Sequence, residues 1–149
     1  GRSGLVARAF AMRLMHLGFN VYVVGETTTP SVRKGDAVMA ISGSGETISI
    51  VNLGKIAKEL GATLITLTSS PESTLGKASD IVLVVKGRKQ ATIEDYMERR
   101  MRGEYKSLAP LGTLFEITAL VVLDAIIAQL MEITGATEVE LKERHAVLE

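Results

Sequence analysis

Cysteine is absent from this sequence. Disulfides, thiolate metal sites and cysteine nucleophiles are therefore excluded. Tryptophan is absent too, and aromatics make up only 4% of the residues, so aliphatic side chains must build the core. Neither sign of charge dominates: 17 basic residues face 17 acidic ones. A nucleic-acid or membrane-surface binder normally carries a basic excess. Neither partner is expected, although a local basic pocket is still allowed. No secretory leader is visible at the start, and the cytoplasm is the expected compartment.

What is present suits one soluble domain spanning residues 1–149. That length is sufficient for a real core. One apolar stretch, residues 111–131, is long enough to raise the question of a membrane span. Glu116, Asp124 and Gln129 are spread through it. Each charge at bilayer depth costs roughly 2.5–3.5 kcal/mol on insertion scales. A helix apolar nearly all round is also what a helix buried in a domain or an oligomer looks like, and burial is the expectation.

Gly1-Arg2-Ser3-Gly4 leads at once into a helical pattern over residues 5–17, stopped by Gly18. A Gly-rich turn that opens a helix normally follows a strand. The expectation is a chain cut inside a β–turn–α unit, with the first strand lying before Gly1. Short runs of Val, Ile and Leu then predict buried strands at 21–24, 37–41, 63–68 and 81–85. Helical patterns fall at 47–60, at 75–78 and at 138–148, the last with Thr137 and Glu140 spaced as a capping box. Strands alternating with helices imply right-handed crossovers and a parallel sheet. The fold class read here is α/β: a three-layer αβα sandwich around a five-stranded parallel sheet, its first strand outside this sequence. The stretch 87–108 breaks the alternation. It is dense in charge, with Ile93, Tyr96, Met97 and Met101 at helical spacing, and reads as an amphipathic connector.

The chemistry concentrates in Ser42-Gly43-Ser44-Gly45-Glu46-Thr47, between a strand and a helix. Glycines let the backbone approach an anion closely, and the following helix offers free N–H groups and the positive end of its dipole. Ser42, Ser44 and Thr47 add hydroxyls. The run holds no Lys or Arg, so it is not a Walker loop. It suits a monophosphate held by neutral donors, with Gly43 and Gly45 giving it room. The plainer reading makes Ser44 the helix N-cap and the glycines mere turn formers. It leaves the combination of three hydroxyls and two glycines unexplained.

In an open parallel sheet, ligands bind beyond the carboxyl ends of the strands. Gly1-Arg2-Ser3-Gly4 would face the same crevice, Arg2 pairing with phosphate or substrate hydroxyls and Ser3 adding a donor. Gly25-Glu26-Thr27-Thr28-Thr29-Pro30 belongs to that edge as well, where Thr28 would read sugar hydroxyls or simply line a polar loop. Glu116 has two open readings. With Thr113 it is spaced as a capping box; alternatively it is a pocket carboxylate acting as general base. His145 shares a helical face with Leu141 and Leu148, which favours packing unless the C-terminal helix reaches a neighbouring subunit. His16 reads as structural.

These runs, with Phe10-Ala11-Met12-Arg13-Leu14-Met15-His16-Leu17-Gly18 and Pro110-Leu111-Gly112-Thr113 ahead of Phe115-Glu116, resemble the sugar isomerase (SIS) domain family. The likeness runs from Gly1 to the end, and its nearest branch is the archaeal and methylotroph 6-phospho-3-hexuloisomerases. The resemblance implies a flavodoxin-like fold and conversion of 3-hexulose 6-phosphate to fructose 6-phosphate through a cis-enediol, a step of the ribulose monophosphate route of formaldehyde fixation. It implies phosphosugar contacts from Ser3, Ser42, Ser44 and Thr47, Glu116 as base, and His145 entering a neighbour's site within a homotetramer. It implies no metal and no organic cofactor, and pairing with or fusion to a hexulose-6-phosphate synthase. Two alternatives stay open: another isomerase of the family, of the arabinose 5-phosphate type, or a non-catalytic sugar-phosphate sensor.

Overall fold

Three short aliphatic runs pair side by side, because each buries apolar side chains on both faces of a sheet. The computed structural model describes residues 1–87, 101–102 and 112–147. Its strands are β1 (Ala37–Ile41), β2 (Thr63–Thr68) and β3 (Ile81–Val84). They are parallel and lie in the order β1-β2-β3, with Ala37 opposite Thr63 and Ile65 opposite Ile81. Parallel neighbours need crossovers. Helix α2 (Ile48–Glu59) supplies the first and α3 (Thr74–Ala78) the second. Three more helices complete the chain: α1 (Arg2–His16), α4 (Thr113–Thr134) and α5 (Glu138–Glu143).

Alternation along the strands divides the core into two layers. Met39, Ile41, Leu67 and Leu83 meet Phe10 and Leu17 of the N-terminal segment and Phe115, Ala119, Leu123 and Ile127 of α4. On the other face Val38, Ala40 and Leu64 meet Val51 of α2 and Leu75 of α3. The expected αβα layering and parallel sheet are therefore present.

The strand count differs from the expectation. Residues 21–24 form no strand. A β segment needs a neighbour for its N–H and C=O groups, and β1 pairs only with β2. Among the described residues no strand pairs with residues 21–24. Tyr22 and Val24 are exposed as a result. Of the four strands expected within this sequence, the described sheet has three.

Smaller differences follow from capping. Helix α1 begins at Arg2, with Gly1 as its N-cap, so the Gly-rich start is already helical. The Thr137–Glu140 capping box forms as expected, but α5 stops at Glu143. Expectations for the charged stretch beyond Gly87 fall almost entirely outside the described residues.

Helix α4 is long and apolar enough, by length and composition, to cross a membrane. In the structure one stripe of it is buried against α1 and the sheet: Phe115, Ala119, Leu123 and Ile127. Leu114, Ile117, Leu120, Val121 and Ile133 stay exposed. The expectation of burial thus holds for one face of the helix within a single chain.

The buried stripe gives a direct test. Leu123 is 1% exposed, so Leu123→Ala should cost about 2–5 kcal/mol in denaturant unfolding. Ile133→Ala, at a site 79% exposed, should stay within about 0.5 kcal/mol.

Candidate active site

Strand β1 ends at Ile41, and the next six residues turn the chain into α2. Ser42 is buried, and its N–H donates to the Leu67 carbonyl, extending the ladder by one bond. The Gly45 N–H donates to Ser42 Oγ at 3.2 Å, which folds the turn back on itself. Ser42 Oγ and Thr47 Oγ1 lie 3.5 Å apart. Ser44 Oγ accepts from the Glu46 N–H at 3.2 Å. Gly45 has φ +65°, and a Cβ there would overlap the Ser73 hydroxyl. Only glycine meets both demands.

The helix N-cap is Thr47, not Ser44, and its side chain makes no capping bond. Instead its hydroxyl faces Ser42. Ser42 and Thr47 thus come together at the amino end of α2. Uncapped first-turn N–H groups, the helix dipole and nearby hydroxyls form an arrangement suited to a small anion.

Glu46 does different work. Its carboxylate accepts from the Thr74 N–H at 2.7 Å and from the Thr74 hydroxyl at 2.8 Å. It therefore braces the start of α3 and is turned away from any ligand role.

Glu116 does not belong to a capping box. The N-cap of α4 is Gly112, at φ +90° and without a side-chain cap bond. Thr113 is already helical because the left-handed Gly112 starts the helix one residue earlier. The Glu116 carboxylate forms an ion pair with Arg2 of α1. Its neighbour Phe115 is buried, and a Cβ on Gly43 would meet the Phe115 ring at 3.2 Å. The amino end of α4 is thereby pressed against the Ser42–Thr47 turn. Ser3 lies half-buried in the first turn of α1, next to Arg2.

Two expected site residues lie elsewhere. Thr28 lines an open surface hollow with Arg8, Met12, Met15, Tyr22 and Glu26, which shares no residue with the turn. The Arg8–Glu26 ion pair bridges that hollow. His145 stacks on the buried His16, ring centroids 5.0 Å apart. Arg144 secures the contact by donating to the His16 carbonyl at 3.1 Å. Within its own chain His145 therefore packs on α1, at the far end from Arg2.

The model of the SIS domain matches residues 1–97. An uncharacterised protein of Aeropyrum pernix is 54% identical over the whole chain, which covers 71% of that relative. The 3-hexulose-6-phosphate isomerase of Bacillus subtilis is 43% identical, again over the whole chain and 76% of the relative. A crystal structure from Methanococcus jannaschii, from which 3-hexulose-6-phosphate isomerase function was inferred, superposes with a TM-score of 0.80. It is 40% identical, and the match covers 100% of this chain and 75% of that one. The chain belongs to the SIS domain family.

Sequence reasoning passed over the residues that buttress the SIS turn. Thr68 Oγ1 donates to the Gly43 carbonyl at 3.2 Å, and the Ser69 N–H donates to the same carbonyl at 3.1 Å. Ser73 caps α3 by accepting from the Gly76 N–H. Ser69 Oγ is buried without a hydrogen-bond partner among the described residues. The signal was available: Thr68-Ser69-Ser70 and Ser73-Thr74 leave a strand at the carboxyl edge, where hydroxyls find carbonyls to bond.

The Glu46 brace makes a pH prediction. The Thr74 N–H holds the Glu46 carboxyl below its usual 4.5, with the Thr74 hydroxyl adding to the effect. A depressed carboxylate contributes stability above its unfolded pKa and loses it as pH falls through the lower folded value. Glu46→Gln should therefore lower the melting temperature near neutral pH. The gap to wild type should close as the pH drops below about 4.

Proposed function

We propose that this SIS domain interconverts 3-hexulose 6-phosphate and fructose 6-phosphate through a cis-enediol. The reading is supported by the Phe115–Gly43 contact, which packs the first turn of α4, where Glu116 lies, against the Ser42–Thr47 turn. The names carried by the relatives point the same way.

Ser42, Ser44 and Thr47, with the amino end of α2, would hold the phosphate, and Gly43 and Gly45 keep the seat open to it. Ser3 is a candidate for a further donor. Glu116 takes the proton from C2 of the open-chain 3-ketose. The C–H electrons form the C2–C3 double bond, and the C3 oxygen gains a proton to give the enediol. Reversal on the other carbon returns a proton to C3 and leaves the carbonyl at C2. One carboxylate on one face serves both carbons, with no net redox change. A positioned base of this kind contributes typically about 10²–10⁴-fold.

The exposed Leu114, Ile117, Leu120 and Val121 of α4 support a homo-oligomer, and a homotetramer is the proposed state. In it, the C-terminal helix would carry His145 into a neighbour's site, where its imidazole helps open the furanose of fructose 6-phosphate. The cytoplasm, where sugar phosphates are made, is the proposed compartment. A hexulose-6-phosphate synthase that supplies the 3-ketose is the proposed metabolic partner.

Glu116→Gln should abolish conversion of 3-hexulose 6-phosphate while leaving fructose 6-phosphate binding intact. Surviving turnover would remove Glu116 from the role of base. His145→Ala should slow turnover; an unchanged rate would leave His145 to its packing on His16. Ile117→Glu should break the assembly into smaller species in light scattering. A wild-type monomer at working concentration would overturn the tetramer.

A further inference from the structure

Arg2 was expected from the sequence to be a ligand of the phosphate. The structure engages it otherwise. Its guanidinium is paired with the Glu116 carboxylate, the side chains being 58% and 14% exposed. The carboxylate is thus mostly sheltered, while its cationic partner reaches in from solvent.

The shelter is built for that carboxylate. A Cβ on Gly112 would stand 3.0 Å from Glu116 Oε1, so the N-cap leaves the carboxylate its space. Phe115 fixes the helix turn from the other side against Gly43. What remains free is the torsion of the Glu116 side chain itself. The ion pair restricts that torsion, because it holds Glu116 Oε2 against an Arg2 guanidinium nitrogen. The phosphate seat is meanwhile supplied with neutral donors and a helix amino end, and such a site binds a phosphate without a cation.

We infer that Arg2 is the positioning residue of Glu116 and not a phosphate ligand. This rests on Glu116 acting as the base in the reaction proposed above. Arg2 acts through Glu116 by holding the carboxylate where the C2 and C3 protons will lie. Placement errors of about 1 Å are worth up to about 10²-fold in rate, so the effect should fall on kcat.

The test compares Arg2→Ala, Arg2→Lys, Glu116→Gln and the double variant Arg2→Ala/Glu116→Gln. The readouts are kcat and KM for 3-hexulose 6-phosphate and the dissociation constant of inorganic phosphate, measured by calorimetry. Arg2→Ala should lower kcat by about 10–100-fold while KM and the phosphate dissociation constant stay within about twofold. Arg2→Lys should recover part of the loss. Arg2 is exposed and its ion pair is near the surface, so the fold should survive, as melting would verify. In the Glu116→Gln background, which has no turnover left to lose, Arg2→Ala should leave the phosphate dissociation constant within about twofold.

Tenfold weaker phosphate binding with kcat preserved would overturn the inference and return Arg2 to the phosphate. The same weakening in the Glu116→Gln background would overturn it too. A wild-type protein that turns over no 3-hexulose 6-phosphate would sink the proposed reaction instead. The phosphate constants of wild type and Arg2→Ala would then decide Arg2 alone: equal values still keep Arg2 off the phosphate, and a tenfold gap overturns the inference.

Discussion

The Phe115 ring against the Gly43 backbone holds the two halves of the site in register. Gly43 belongs to the turn that leaves β1, and Phe115 to the first turn of α4. These segments are far apart in sequence, yet they form one contact in the core between the sheet and α4. Without it, the anion seat and the Glu116 carboxylate would be two unrelated features at the sheet's carboxyl edge. With it, the turn and the amino end of α4 lie against each other at one edge of the sheet.

The rest of the architecture serves that contact. Parallel strands with helical crossovers bring every strand's carboxyl end to the same edge. Helices α2 and α4 both begin there, and so does α1, which delivers Arg2. The β2 exit adds Thr68 and Ser69 beneath the Gly43 carbonyl, so the turn is bonded from below as well as packed from the side. Glu46, though it sits inside the turn, is spent on α3, which locks the outer wall.

Much of this was legible in the sequence, and the failures have physical causes. Residues 37–41 and 63–68 were readable as strands because each is buried on both faces and has a parallel neighbour. Residues 21–24 carry the same composition but no described partner, and composition cannot supply one. The Ser42–Thr47 turn was legible because glycine, hydroxyls and a helix start coincide within six residues. Its internal roles were not: Thr47 took the N-cap position and Glu46 turned to Thr74, choices made by tertiary bonds. Glu116 looked like half of a capping box because spacing cannot reveal that Gly112 adopts a left-handed φ and starts the helix early. The Arg2–Glu116 pair joins residues 114 positions apart, a proximity that only the packing of α1 on α4 creates.

In the proposed reaction the phosphate sits at the Ser42–Thr47 turn and the reacting carbons at Glu116. A crystal structure of the complex with fructose 6-phosphate tests this most directly. The phosphate should lie on the hydroxyls of Ser42, Ser44 and Thr47 and the amino end of α2. The Glu116 carboxylate should lie within about 3–3.5 Å of C2 and C3, the separation of a reacting pair. A phosphate seated on Arg2, or a Glu116 carboxylate remote from both carbons, would contradict it.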